Sequence, residues 1–249
     1  MILELDCGNS FIKWRIVISG LELTEQCQGK AKNLAELLAQ LTLLDSVKIS
    51  VCRLVSVRSE RENQQICSGL SGLLGVEVSC AAPARQLGGV INGYADFNRL
   101  GLDRWLAMVG AFDLCRGACV VLDLGTAITV DFVNSEGAHL GGYITPGLGL
   151  LRNQLLTRTS GVRYEPFNKD VTRRASPGRA TDEAVERGCL QMLRGYVGLQ
   201  LFEAEKYLGS GFRVYGTGGD VALVADMPGI ICVPDLVFKG LAIACPVEV

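Results

Sequence analysis

Near the N-terminus, Asp6, Gly8, Asn9 and Ser10 stand between two strand-like runs, and the pattern returns 117 residues later as Asp123, Gly125, Thr126 and Ala127. A turn of glycine and small polar residues leaves its backbone N–H groups open to close approach, which suits a phosphate. Asn9, Ser10, Thr126 and Thr129 add side-chain donors. An acid closing the preceding strand, Asp6 or Asp123, can hold a cation that balances phosphate charge. Two such turns facing one another would grip a nucleotide's phosphates from both sides. Taken singly, each is equally an ordinary tight turn whose Asp bonds its own backbone; the recurrence in matching strand-turn-strand contexts favours the phosphate reading. Neither a P-loop nor a dinucleotide fingerprint is present: there is no Gly-x4-Gly-Lys-Ser/Thr, and the glycine run at 216–221 departs from Gly-x-Gly-x-x-Gly at its last position.

The elements that must position these turns follow from hydrophobic period. Residues 2–5 and 11–18 read as strands. In the second, Ile12, Trp14, Ile16 and Ile18 share one face and Lys13 and Arg15 the other, as in a half-buried hairpin arm. Leu34, Leu37, Leu38 and Leu41 recur at helical spacing, a strand follows at 48–55 and a helix at 61–74. After a Gly-rich loop at 88–93, Trp105, Met108, Val109 and Phe112 mark a helix that should end near Gly117. The second half reads as strands within 119–133 and at 138–144, a turn at Thr145-Pro146-Gly147, and a polar stretch at 158–180 holding Pro166 and Pro177. A long helix follows, with Thr181 as its N-cap, Asp182 and Glu183 in its first turn, and an end near Gly209. Strands at 212–220 and 230–233 complete it. This organisation predicts two related α/β domains, 1–116 and 117–249, facing each other across a cleft.

Composition narrows the function. The chain has 249 residues, 49% of them apolar, with 24 Lys and Arg against 26 Asp and Glu, so a core is affordable and no net field favours nucleic acid or an anionic membrane. Neither a secretory signal nor a membrane span is legible, which predicts a cytoplasmic protein. Ten cysteines without any Cys-x-x-Cys, and His139 as the one histidine, suggest neither zinc nor a disulfide framework. Reduced, mostly buried thiols are expected. His139 reads as an ordinary polar residue in or beside a strand, Cys115 and Cys119 need no redox role, and Asp131 lies in the second hairpin's return strand, away from the 100–105 segment. Asp103 stands where either an N-cap or a general base would stand.

Taken together, the motifs resemble those of the type III pantothenate kinases, within the actin, sugar kinase and Hsp70 ATPase superfamily. DCGNSFIKW at 6–14 resembles their first phosphate motif, LGLDRW at 100–105 their pantothenate motif, and DLGTAITVDF at 123–132 their second phosphate motif. GGYITPG at 141–147 resembles a following glycine motif, and GTGGD at 216–220 the adenosine motif. Phe97 stands where that family commonly has a proline. The resemblance implies two ribonuclease H-like domains, each a mixed sheet flanked by helices, and an ATP-dependent kinase acting on pantothenate as a homodimer, without nucleic acid or membrane as partner. It implies Asp103 as proton acceptor, and Tyr94, Gly101, Leu102, Arg104 and Thr181 as substrate contacts, Thr181 from across the dimer interface. Nucleotide contacts would come from Asp6, Cys7, Gly8, Asn9, Ser10, Phe11, Ile12 and Lys13, from Thr126, and from Gly218 and Gly219. Asp6 would hold Mg²⁺, and Asp123 a monovalent cation, K⁺ or NH₄⁺. The same family contains Bvg accessory factors, so a regulatory protein is the alternative, as is another small-molecule kinase on the scaffold.

Overall fold

The computed structural model describes residues 1–18, 24–44, 47–164 and 176–247. Residues 165–175 of the polar stretch, Pro166 included, lie outside the described residues. The chain divides into two compact units, Met1–Arg116 with Asp235–Val249, and Gly117–Pro234. Residues 235–249, expected with the second half, therefore belong to the first unit.

In the first unit, β1 (Ile2–Cys7), β2 (Ile12–Ile18), β3 (Thr24–Ala31), β4 (Val51–Ser56) and β5 (Val78–Cys80) form one sheet in the order β3-β2-β1-β4-β5. The first three run as an antiparallel meander, while β4 and β5 lie parallel to β1. Leu3, Leu5, Ile12, Trp14, Ile16, Cys52 and Leu54 turn to one face, where α1 (Leu34–Thr42) and α2 (Glu60–Leu74) cover them with Leu37, Leu41, Ile66 and Leu70. α1 starts where Asn33 accepts from the Glu36 N–H. α2 starts at a reciprocal pair between Ser59 and Glu62, and ends on Gly75 in the left-handed region.

The opposite face is not the solvated one that Lys13 and Arg15 suggested. There α6 (Leu236–Ala244) lies against β1 and β4, and α3 (Leu102–Cys115) packs on α6. The helices cross so closely that a Cβ on Gly240 would fall 1.9 Å from the Leu106 carbonyl oxygen, which explains a glycine there. Arg15 is consequently buried, 7% exposed. α3 ends on Arg116 at φ 48°, one residue before the expected Gly117. A short hairpin, β6 (Gln86–Leu87) and β7 (Val90–Ile91), turns through Gly88 and Gly89.

The second unit repeats the plan. β8 (Cys119–Leu124), β9 (Ala127–Val133), β10 (His139–Pro146), β11 (Arg213–Thr217) and β12 (Ile230–Cys232) take the order β10-β9-β8-β11-β12 with the same strand directions. Val120, Leu122, Leu124, Val130 and Phe132 meet Leu148, Leu193 and Val197 from α4 (Leu148–Arg158) and α5 (Thr181–Leu208). α4 occupies residues the sequence left without an element. Thr145 and Pro146, expected in a turn, extend β10. Thr181 is the first helical residue of α5 and not its cap; that place falls to Ala180, which makes no capping side-chain bond.

Candidate functional site

In the first unit the strand order brings the ends of β1 and β4 together, and the turn at residues 8–11 sits there. Asp6, near the end of β1, is paired in register with Lys13 on β2, whose Nζ lies 3.7 Å from the Asp6 carboxylate. Burial pushes the Asp6 carboxyl up; Lys13 pulls it down and Asp103 pushes it up again. Asn9 and Ser10 are exposed at the tip. Cys7 and Ile12 are fully buried in the core, so only their backbones can face a ligand. Burial, with the Asp6 charge beside it, pushes the Cys7 thiol up to about 12, which keeps it protonated. Phe11 stands beneath Lys30, whose Nζ lies 3.6 Å from the ring centroid.

Asp103 belongs to the same unit. It stands in the first turn of α3, after the N-cap Gly101, and its Oδ1 accepts from the Arg104 N–H at 2.8 Å. The N-cap reading of Asp103 is thereby replaced. Asp103, a half-buried carboxylate of the 100–105 motif, adds its charge to the burial that pushes the Asp6 carboxyl up. Arg104 is buried, and its Nη1 donates to the Tyr94 hydroxyl at 2.9 Å. Tyr94 is held in turn by Asn92, whose Oδ1 accepts from the Tyr94 N–H at 3.0 Å while Nδ2 donates to the Ala84 and Phe97 carbonyls. Phe97, at the family's proline position, starts a 3-10 turn capped by Asp96 and stacks under Arg85.

In the second unit the corresponding turn joins β8 to β9. Gly125 N–H donates to the Ala127 carbonyl, and Thr126 is exposed at the tip. Gly147, from the glycine motif, closes on this turn: its N–H donates to the Thr126 carbonyl, and a Cβ there would lie 2.2 Å from the Gly125 oxygen. Gly218, at the end of β11, takes φ +93°, and a Cβ would fall 2.5 Å from both Asp123 Oδ1 and the Leu124 oxygen. Gly218 is thus demanded by backbone shape as well as by any ligand, whereas the position of a Cβ on Gly219 is open space. Thr181 is exposed at the start of α5. His139 is not the ordinary polar residue expected: it is buried, with Nε2 3.0 Å from the Asp131 carboxylate.

One residue of the first site escaped the sequence reading. Arg58, just after β4, donates from Nε to the Gly8 carbonyl at 2.9 Å and pairs with Glu62 of α2. The internal repeat was the signal available for it, because β4 is the counterpart of β11 and Arg58 follows it as Gly218 and Gly219 of the adenosine motif follow β11.

A family model described as type III pantothenate kinase matches residues 2–201. Curated relatives described as type III pantothenate kinase include one from Pseudomonas fluorescens SBW25, 54% identical over 250 residues, and one from Pseudomonas syringae pv. syringae B728a, 55% identical; each match covers the whole of both chains. Among solved structures, a Campylobacter jejuni protein described as a Baf family transcriptional activator matches with TM-score 0.59 and 21% identity, covering 96% of this chain and 94% of that one. Porphyromonas gingivalis acetate kinase matches with TM-score 0.54 and 11% identity, covering 98% of each chain. At these identities the structures speak to the fold alone, which is that of the actin-like ATPases.

Proposed function

The chain belongs to the type III pantothenate kinase family, and from that membership we propose that it transfers the γ-phosphoryl group of ATP to the 4'-hydroxyl of pantothenate, the first step towards coenzyme A. What supports the mechanism is Asp103, which stands in the pantothenate motif in the first turn of α3 with its carboxylate half-buried. Asp103 accepts the hydroxyl proton as the alcohol oxygen bonds to the γ-phosphorus; the bond from that phosphorus to the bridging oxygen breaks, and ADP leaves. Arg104, anchored by Tyr94, offers a planar guanidinium to the pantothenate carboxylate, and Gly101 and Leu102 complete the wall. Backbone N–H groups from Gly8 to Phe11, with Asn9, Ser10 and Lys13, take phosphate oxygens; Thr126 adds a hydroxyl, and the open side of Gly219 beside Gly218 receives adenine.

The residues present fit the ions this chemistry uses. Among the described residues no three of His, Cys, Asp or Glu gather to hold a metal. Asp6 would hold a Mg²⁺ ion, largely through water, and the ion would supply charge neutralisation at the phosphates. Asp123, whose Oδ1 lies close to Gly218 at the second turn, would hold K⁺ or NH₄⁺ through its carboxylate.

A homodimer is supported by α5, where Met192 and Phe202 are each 61% exposed and Leu199 continues their stripe, and by the edge strand β10, where Ile144 is 63% exposed. Thr181, on the same helix, is then available to a partner's substrate. Among the described residues no helix is long and apolar enough to cross a membrane, and we place the enzyme in the cytoplasm, with its ATP.

ADP formation measured in a coupled assay should depend on pantothenate and run faster in potassium or ammonium than in sodium buffer. Equal ADP release with and without pantothenate overturns the assignment. Arg58→Ala, which removes a charge-assisted bond from the Gly8 carbonyl, should raise KM for ATP by about tenfold with kcat less affected, since such a bond contributes about 1.5–3 kcal/mol. An unchanged KM would remove Arg58 from the phosphate turn's support.

A further inference from the structure

Two thiols outside the kinase site stand in direct contact. Cys67 lies on α2 and Cys80 at the end of β5, and their sulfurs are 3.5 Å apart. Cys80 is exposed and Cys67 half-buried, so a small reagent reaches the pair from solvent. A disulfide needs an S–S separation of about 2.05 Å, a further approach of roughly 1.5 Å that modest side-chain rotations supply. The rival partner for Cys80 is Cys245, whose sulfur donates to the Ser79 carbonyl at 3.9 Å; Cys52 is fully buried on β4. We infer that Cys67 and Cys80 are a reversible oxidation site, closing to an intramolecular disulfide on reaction with a low-molecular-weight disulfide.

The chemistry is shared between the two sulfurs. Either sulfur can be the S–H donor of the contact, so the exchange runs from either end; with Cys67 leading, it proceeds in two steps. Cys67, as thiolate, attacks one sulfur of the external disulfide; that S–S bond breaks, and the departing thiolate takes up the proton that Cys67 lost. Cys80 then attacks the Cys67 sulfur and expels the second small thiol, which leaves with the Cys80 proton. Two protein thiols are oxidised by two electrons, and one external disulfide is reduced to two thiols. The product ties α2 to the sheet's edge strand, shortening the conformational freedom of the unfolded chain between them.

The test is to treat the full-length protein with excess oxidised glutathione at neutral pH, alkylate remaining thiols, and map non-reduced peptides by mass spectrometry. The expected result is a peptide pair joined through Cys67 and Cys80, lost on adding dithiothreitol, with a raised thermal midpoint in the oxidised form. Cys67→Ser and Cys80→Ser should each abolish that link, and Cys80→Ser should retain a glutathione adduct on Cys67. Full alkylation of both cysteines after treatment, or a link from Cys80 to Cys245 instead, overturns the inference; the wild-type map decides this even if a variant folds poorly.

Discussion

Asp103→Asn lowers kcat by about 10²- to 10⁴-fold while ATP binding is retained, the loss expected when a positioned general base is made unable to accept a proton. The substitution is close to isosteric, and Asn can still accept the Arg104 N–H through its amide oxygen, the bond that Asp103 Oδ1 makes now. The start of α3 therefore keeps its local hydrogen bond and the effect is confined to chemistry. Removing the charge also relieves Asp6, whose carboxyl Asp103 helps to push up, so binding of the metal-nucleotide complex should not weaken. A coupled ADP assay with saturating pantothenate reads the turnover, and calorimetric titration with ATP reads the binding. Turnover within about twofold of the wild type would take Asp103 out of proton transfer, because such a change is under about 0.5 kcal/mol of barrier.

What could be read from the sequence was what local pattern determines. The hairpins at residues 2–18 and 119–133 have strand composition and an Asp-x-Gly turn within a few residues, so they are legible without tertiary context, and their repetition announces two sheets of one plan. The C-terminal helix was not legible, because Leu236–Ala244 is apolar on nearly every side and lacks the stripe that marks a surface helix. Missing it made Arg15 look solvated. α4 was hidden by the Pro146-Gly147 pair, which reads as a turn and in fact closes a strand before the helix begins. In the site, Asp103 and Arg104 stand out by motif. The Tyr94 hydroxyl bonded to Arg104, and the Arg58 side chain on the Gly8 carbonyl, join residues 10 and 50 positions apart; local pattern does not announce such contacts, and for Arg58 the repeat of the two sheets points to its place and not to its partner.

The largest effect on stability is expected at Glu4. Its carboxylate is wholly buried between two guanidinium groups: Oε2 accepts from Arg15 Nε, and Oε1 accepts from Arg53 Nε at 2.7 Å. The register explains the convergence, since Glu4 is paired with Arg15 on β2 and with Arg53 on β4. Both arginines then reach the C-terminal segment, Arg15 to Asp235 at 3.0 Å and Arg53 to the Cys245 carbonyl at 2.9 Å. Arg15 also lies 4.6 Å over the Phe238 ring. Glu4→Ala leaves two buried positive charges facing one another without their shared anion, a loss of about 3–5 kcal/mol. That corresponds to a fall of roughly ten degrees or more in the unfolding transition of the first unit. Replacing all three together, Glu4→Leu with Arg15→Met and Arg53→Met, should recover more than half of the loss, because the desolvation penalty disappears with the charges. Calorimetric scans of the two variants separate the possibilities. A Glu4→Ala protein as stable as the wild type would mean that water reaches the arginines and that the C-terminal helix is held by its apolar packing alone.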